Sequence, residues 1–267
     1  MEVGSLLREW RATRGLSQLE LAMRAGFSTR HVSFIETGRT QPSRQALLVL
    51  AETLDIPLRE RNRLLEAGGF AHVYAQTPLG ADEMRHIRGV LEFILERHDP
   101  YGAVVLDRYA NLLMANRAAH QLFSALVDSS LLTGTPNVLR MVFHPLGVWR
   151  SIVNWHDVGR HLYERAEREL RPVEHDATAA ALLAEIRGYA GALAGAPRAN
   201  HVRPADLLLP VHIKRGELEL KMFSTIMTLG TPQDVTLQEL RIETFFPADE
   251  QSAAAIRGAR ARVASLP

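Results

Sequence analysis

The sequence predicts an α+β protein in which an all-α N-terminal domain of five helices precedes a domain with a five-stranded antiparallel sheet covered by helices. Three observations carry this expectation. The chain has 267 residues, more than one average domain, so two are expected. Up to residue 67, apolar residues recur at helical spacing between glycines and Ser caps. Beyond residue 100 the period changes to short alternating runs, two early and three late, with helical sequence between them.

The helical elements come first. Leu6, Leu7 and Trp10 mark one face of helix one, which Gly15 stops. Ser17 and Glu20 form a capping box for a second helix that starts at Gln18, carries Leu21 and Ala22, and ends at Gly26. Gly26 is placed where a tight turn requires positive φ. Ser28 caps helix three, whose inward positions are Val32 and Ile35, and Gly38 ends it. Pro42 and Ser43 open helix four (Ala46, Leu47, Leu50, Ala51), and Pro57 opens helix five (Leu58, Leu64, Leu65).

Two short helices across a tight glycine turn make a helix-turn-helix. With Gln18, Leu21, Ala22, Gly26, Val32, Ile35, Glu36 and Gly38 in register, residues 4–67 resemble the XRE/lambda-repressor-like DNA-binding domains, and the domain is assigned to 1–67. The resemblance implies that Gln18 bonds a DNA phosphate and that helix three enters the major groove of an operator duplex by its N-terminal end. Its outward residues are Ser28, Thr29, Arg30, His31 and Ser33. Thr29, Arg30 and Ser33 are the expected base readers, Arg30 through guanine O6 and N7. Arg39 and Arg44 are expected on phosphate, and Glu36 in a structural role. Seven Arg against four Glu in the first fifty residues give this region a local surplus of positive charge, although the whole chain is only +1. One such unit binds weakly, so the resemblance also implies a homodimer on a two-fold symmetric site.

Residues 68–85 contain Gly and Pro without a helical period and read as a linker. An amphipathic helix follows over 84–97, then short strands at 103–106 and 111–115 around a turn at 107–109. Asn116 caps the helix after them. Helices fill 137–195, and strand candidates lie at 206–214, 216–228 and 239–246. Leu218, Leu220 and Met222 alternate with Glu217, Glu219 and Lys221, as in a sheet with one wet face. Residues 249–267 read as an Arg-rich terminal helix.

The order of a hairpin giving "ANRAA", then "NVLRMVFHP", then "VNWHDVGRHL", then a late β-meander resembles the PAS-like ligand-binding domain of MmyB-like transcription regulators over 86–248. The resemblance implies sensing of a small molecule. Between 139 and 155 apolar side chains crowd together, including Leu139, Phe143, Trp149, Ile152 and Trp155. The sheet opposite offers Leu113, Leu220, Met222 and Phe245. These predict an apolar pocket, although every sheet also needs such a cover. Asn116, Arg140, His144 and Asn154 stand nearby as polar groups to orient a ligand. An apolar tunnel with Arg or His at its mouth suits a fatty acid or similar lipid-like molecule. The alternative is a second domain that serves only as a protein-interaction or dimerisation module, as in an antitoxin.

Several classes are excluded. The absence of cysteine removes disulfides, thiolate catalysis and iron–sulfur clusters. No apolar run reaches the ~18 residues of a membrane span, and the N-terminus lacks a secretory pattern, so a cytoplasmic location is expected. His156 and His161, at i and i+5, do not share a helix face, and no HExxH, phosphate loop or GxSxG elbow occurs. Neither metal, cofactor nor enzymatic activity is expected.

Overall fold

The structure is a computed structural model that describes residues 2–170, 176–189 and 208–264, with side chains up to 258. Among these residues the elements run α1 (Val3–Thr13), α2 (Gln18–Ala25), α3 (Thr29–Glu36), α4 (Arg44–Thr53), α5 (Leu58–Ala67), α6 (Arg85–Arg97), β1 (Ala103–Leu106), β2 (Leu112–Ala115), α7 (Arg117–Leu126) and α8 (Val138–Phe143). They continue with α9 (Trp155–Leu170), α10 (Ala177–Gly188), β3 (Val211–Arg215), β4 (Leu218–Met227), α11 (Val235–Glu239), β5 (Arg241–Pro247) and α12 (Glu250–Ala264). Two compact units result. Of the described residues, the first holds those within 2–83 and 229–238; the second holds the others.

The first unit is the expected five-helix domain. Ser17 and Glu20 complete their capping box, the Glu20 amide donating to Ser17 Oγ (3.1 Å) and the Ser17 amide to Glu20 Oε2 (2.7 Å). Gly26 closes α2 in the left-handed conformation at φ +71°. Leu7, Leu21, Ile35, Leu47, Leu50 and Leu64 are almost fully buried and bind the five helices into one core. Gly4 permits a close approach of α1 to the end of α3. A Cβ there would stand 2.4 Å from the Ile35 carbonyl oxygen.

Most of the segment expected as a linker belongs to this unit and is held there. Asn62 on α5 is buried, and its Oδ1 accepts the Val73 and Tyr74 amides while its Nδ2 donates to the Tyr74 carbonyl. The connection between β4 and β5 also belongs to it. The Val235 amide donates to Ala75 O (2.8 Å), the Thr77 amide to Asp234 Oδ2 (3.0 Å) and the Leu58 amide to Gln238 Oε1 (2.7 Å). The last bond has a local cause. Helix α5 starts after Pro57, which has no side-chain oxygen to cap the first turn, so the donor of Leu58 is satisfied by a distant glutamine.

In the second unit the five strands form one antiparallel sheet in the order β2-β1-β5-β4-β3. A hairpin turn at Arg215-Gly216 joins β3 to β4, with Gly216 at φ +57° and Arg215 paired to Leu218. β1 is buried along its whole length. Helices α7, α8 and α9 pack their apolar residues against the sheet in a single core around Phe123, Phe143, Trp155 and Met222. The late strand expected at 239–246 begins at Arg241, because Val235–Glu239 forms a short helix, its start capped by Asp234 through the Thr236 amide. The strand expected from 206 begins at Val211, with 206 and 207 outside the described residues. Residues 171–175 and 190–195, expected to be helical, and residues 265–267 of the terminal segment also lie outside them.

Candidate DNA interface and ligand cavity

Helix α3 presents Thr29 and Arg30 to solvent, with His31 and Ser33 half-buried beside them. Arg30 lies over the Phe34 ring at 5.0 Å, and Arg39 over the same ring at 5.8 Å, so one aromatic side chain orients two cations. The His31 and Phe27 rings stand 5.3 Å apart. Ser28 Oγ accepts the His31 amide and so fixes the first turn of α3. Arg44 is exposed at the first position of α4, whose N-cap is Ser43.

Behind this face lies a buried carboxylate that sequence reasoning had only called structural. Glu36 receives Arg11 Nε on Oε1 (2.6 Å) and Arg11 Nη2 on Oε2 (3.0 Å), with Arg8 at 3.8 Å. Gln18 Nε2 donates to the same Oε2 (2.8 Å). Burial pushes the Glu36 carboxyl up, but the bonds from Arg11 and Gln18 and the charges of Arg11 and Arg8 outweigh it, so it sits below the usual range. Gln18 is thus half-buried and anchored. Its amide carries two N–H groups, of which Glu36 takes one.

In the second unit, α7, α8 and α9 enclose a cavity of about 160 Å3 against the sheet. Leu139, Val142, Phe143, Ile152, Met222 and Phe245 are among its apolar walls, and all of these except Val142 are candidate pocket residues from the sequence. Leu122 and Met222 also border a second cavity of about 340 Å3 reaching Gln121, Leu220 and Ile256. Within the wall of the first, α9 meets β4 and β5 in a charged quartet. Arg165 Nε donates to Glu169 Oε1 (2.9 Å) and Arg165 Nη1 to Glu243 Oε1 (3.4 Å). Arg241 pairs with Glu169, and Ser224 Oγ donates to Glu243 Oε1 (2.6 Å). Burial lowers the Arg165 guanidinium, yet Glu243 and Glu169 hold its proton more firmly than usual.

The four polar groups expected to orient a ligand stand elsewhere. Arg140 forms a two-pronged pair with Glu185, both bonds 2.8 Å, on an exposed face. Asn154 takes the His212 amide (3.0 Å) and donates to Pro210 O (2.8 Å), pinning the start of β3. Asn116 accepts the amides of Ala103 and Ala119 and donates to Leu95 O and Tyr101 O. His144 bonds the Leu146 amide through Nδ1 and receives the Trp149 indole on its carbonyl. Asn116, Asn154 and His144 satisfy backbone groups that would otherwise lack partners, and Arg140 a carboxylate. Trp149 and Trp155 do not line the cavity either. Trp155 is buried behind it, edge-on to Phe143 at 5.5 Å. Leu113, expected on the pocket face, is exposed, and Leu220 borders the second cavity.

The quartet escaped sequence reasoning because Arg165 and Glu169, at i and i+4, look like any solvated helix pair. A signal existed in β5, where Arg241, Glu243 and Phe245 share one face by their period of two, the face that carries the cavity.

A capped helix pair displaying arginine, joined to a sheet domain with an apolar cavity, defines a regulator with one DNA-binding and one ligand-binding unit. Comparison with known families agrees. Residues 87–258 match the MmyB-like transcription regulator ligand binding domain, and residues 2–64 match a helix-turn-helix domain. The chain belongs to the MmyB-like transcription regulator family. Both families are regulatory. No match was found among curated proteins. No described helix is long and apolar enough to cross a membrane.

Proposed function

We propose that this DNA-binding regulator responds to an apolar small molecule of the fatty-acid or fatty-acyl class, and that it binds its operator as a homodimer in the cytoplasm. The observation that carries the ligand reading is the cavity between α7–α9 and the sheet. Its ~160 Å3 is of the order of the cavities that take up benzene-sized apolar molecules, which fits a short alkyl segment. A longer chain is accommodated if Leu122 and Met222 yield toward the second cavity, and methionine adapts readily.

On the DNA side, Thr29, Arg30 and Ser33 read bases, while Gln18, Arg39 and Arg44 hold phosphates. Ser28 and His31 serve the same face, Ser28 by capping α3. The chain offers a route between the two functions. Strands β4 and β5 carry Met222, Ser224, Arg241 and Glu243 in the cavity wall, and the residues joining them, 229–238, belong to the DNA-binding unit. A ligand that moves these strands changes the ends of that segment.

Native mass spectrometry of freshly purified protein tests the ligand reading. The expected result is added mass in the range of a medium-chain acyl compound, lost on denaturation. A clean mass for the bare chain that stays unchanged after incubation with decanoate and methyl decanoate contradicts it.

A further inference from the structure

Building on that reading of the cavity, we infer that its ligand has an uncharged head group that accepts hydrogen bonds, as an amide, ester or lactone carbonyl does, and is not a free carboxylate.

The argument is one of charge already matched. Among the described residues, three arginines line the cavity, Arg108, Arg165 and Arg241, and three acidic residues, Asp107, Glu169 and Glu243, line it with them. None of the arginines lacks a carboxylate. Arg165 is paired with Glu169 and Glu243, and Arg241 with Glu169. Arg108 is paired with two acids outside the lining, Asp176 (2.7 Å) and Glu239 (3.2 Å). An entering carboxylate would bring a further negative charge to a wall whose cations are all matched, beside apolar side chains that screen like charges less than water does. An ammonium head meets the two guanidinium groups.

The donors point the same way. Each guanidinium has five N–H groups. Carboxylates take two from Arg165 and one from Arg241. Glu243 Oε1, in turn, receives both Arg165 and Ser224. The quartet therefore has N–H capacity to offer and little need of another donor. A neutral carbonyl oxygen uses that capacity without disturbing the charge balance, and its alkyl chain lies along Leu139, Val142 and Phe143.

Isothermal titration of the full chain, stripped of lipid, with octanamide, methyl octanoate, octanoate and octylamine at neutral pH is the test. Octanamide and methyl octanoate are expected to bind at least about tenfold more tightly than octanoate or octylamine. In Glu243→Gln, which removes one negative charge from the quartet, octanoate should gain several-fold relative to octanamide, a change of ratio that loss of packing alone does not give. If that variant does not fold, Glu169→Gln serves the same purpose. Octanoate or octylamine binding as tightly as octanamide overturns the inference and leaves the cavity reading standing. No binding of any of the four overturns both.

Discussion

Arg11 on α1 reaches the carboxylate of Glu36 at the end of α3 with its Nε 2.6 Å from Oε1, and the Glu36 side chain is 1% exposed. The same carboxylate holds Gln18 at the start of α2. One acidic residue thereby ties together α1, α2 and α3, the helix-turn-helix pair and the helix that packs on it. Glu36→Ala leaves the Arg11 guanidinium beside an apolar gap and is expected to cost ~3 kcal/mol, read as a lower urea midpoint. Its effect also depends on pH. The folded-state pKa of Glu36 is depressed, so its stabilisation is complete above the unfolded value of ~4.3 and is lost as pH falls toward the folded one. The stability gap between the native chain and Glu36→Gln should accordingly narrow on acidification below about pH 4. A gap independent of pH contradicts this assignment.

Asn116→Ala separates a structural from a ligand-binding role. The side chain holds four backbone groups, the carbonyls of Leu95 and Tyr101 and the amides of Ala103 and Ala119. Removing it should cost ~2–4 kcal/mol, from a lost helix cap and buried backbone groups left without partners. Chemical denaturation reads the loss. The affinity for octanamide in the folded variant should change less than about threefold, since Asn116 does not line the cavity.

Gln238 supplies the cap that Pro57 cannot. In Gln238→Ala the Leu58 amide loses its acceptor, and the first turn of α5 should be destabilised by ~1 kcal/mol. Hydrogen exchange at the Leu58 amide is the readout. Faster exchange there, with the amides of α3 unchanged, is the expected pattern. Unaltered exchange at Leu58 contradicts the assigned bond.

The first unit was legible because its signals are local. Ser17 with Glu20, Gly26, Ser28 and Gly38 each act within a few residues, and each was found where expected. The sheet was legible from its period, as Leu218 to Met222 illustrates. What sequence concealed was long-range pairing. Nothing near Gln238 indicates that it caps a helix 180 residues away. Nothing in Arg165 distinguishes it from Arg140, yet one lines the cavity and the other holds Glu185 on the surface. Apolar pocket walls followed from crowding in 139–152. The polar end did not, because its members come from α9, β4 and β5, and only the fold brings them together.

The central claim is that α3 reads base sequence, and selection of bound duplexes from a random pool tests it most directly. The native chain should enrich one two-fold symmetric motif, and Arg30→Ala should lose discrimination at one position of each half-site, worth ~1–3 kcal/mol, while retaining the rest. Equal recovery of every duplex by the native chain, whatever its sequence, would contradict the account.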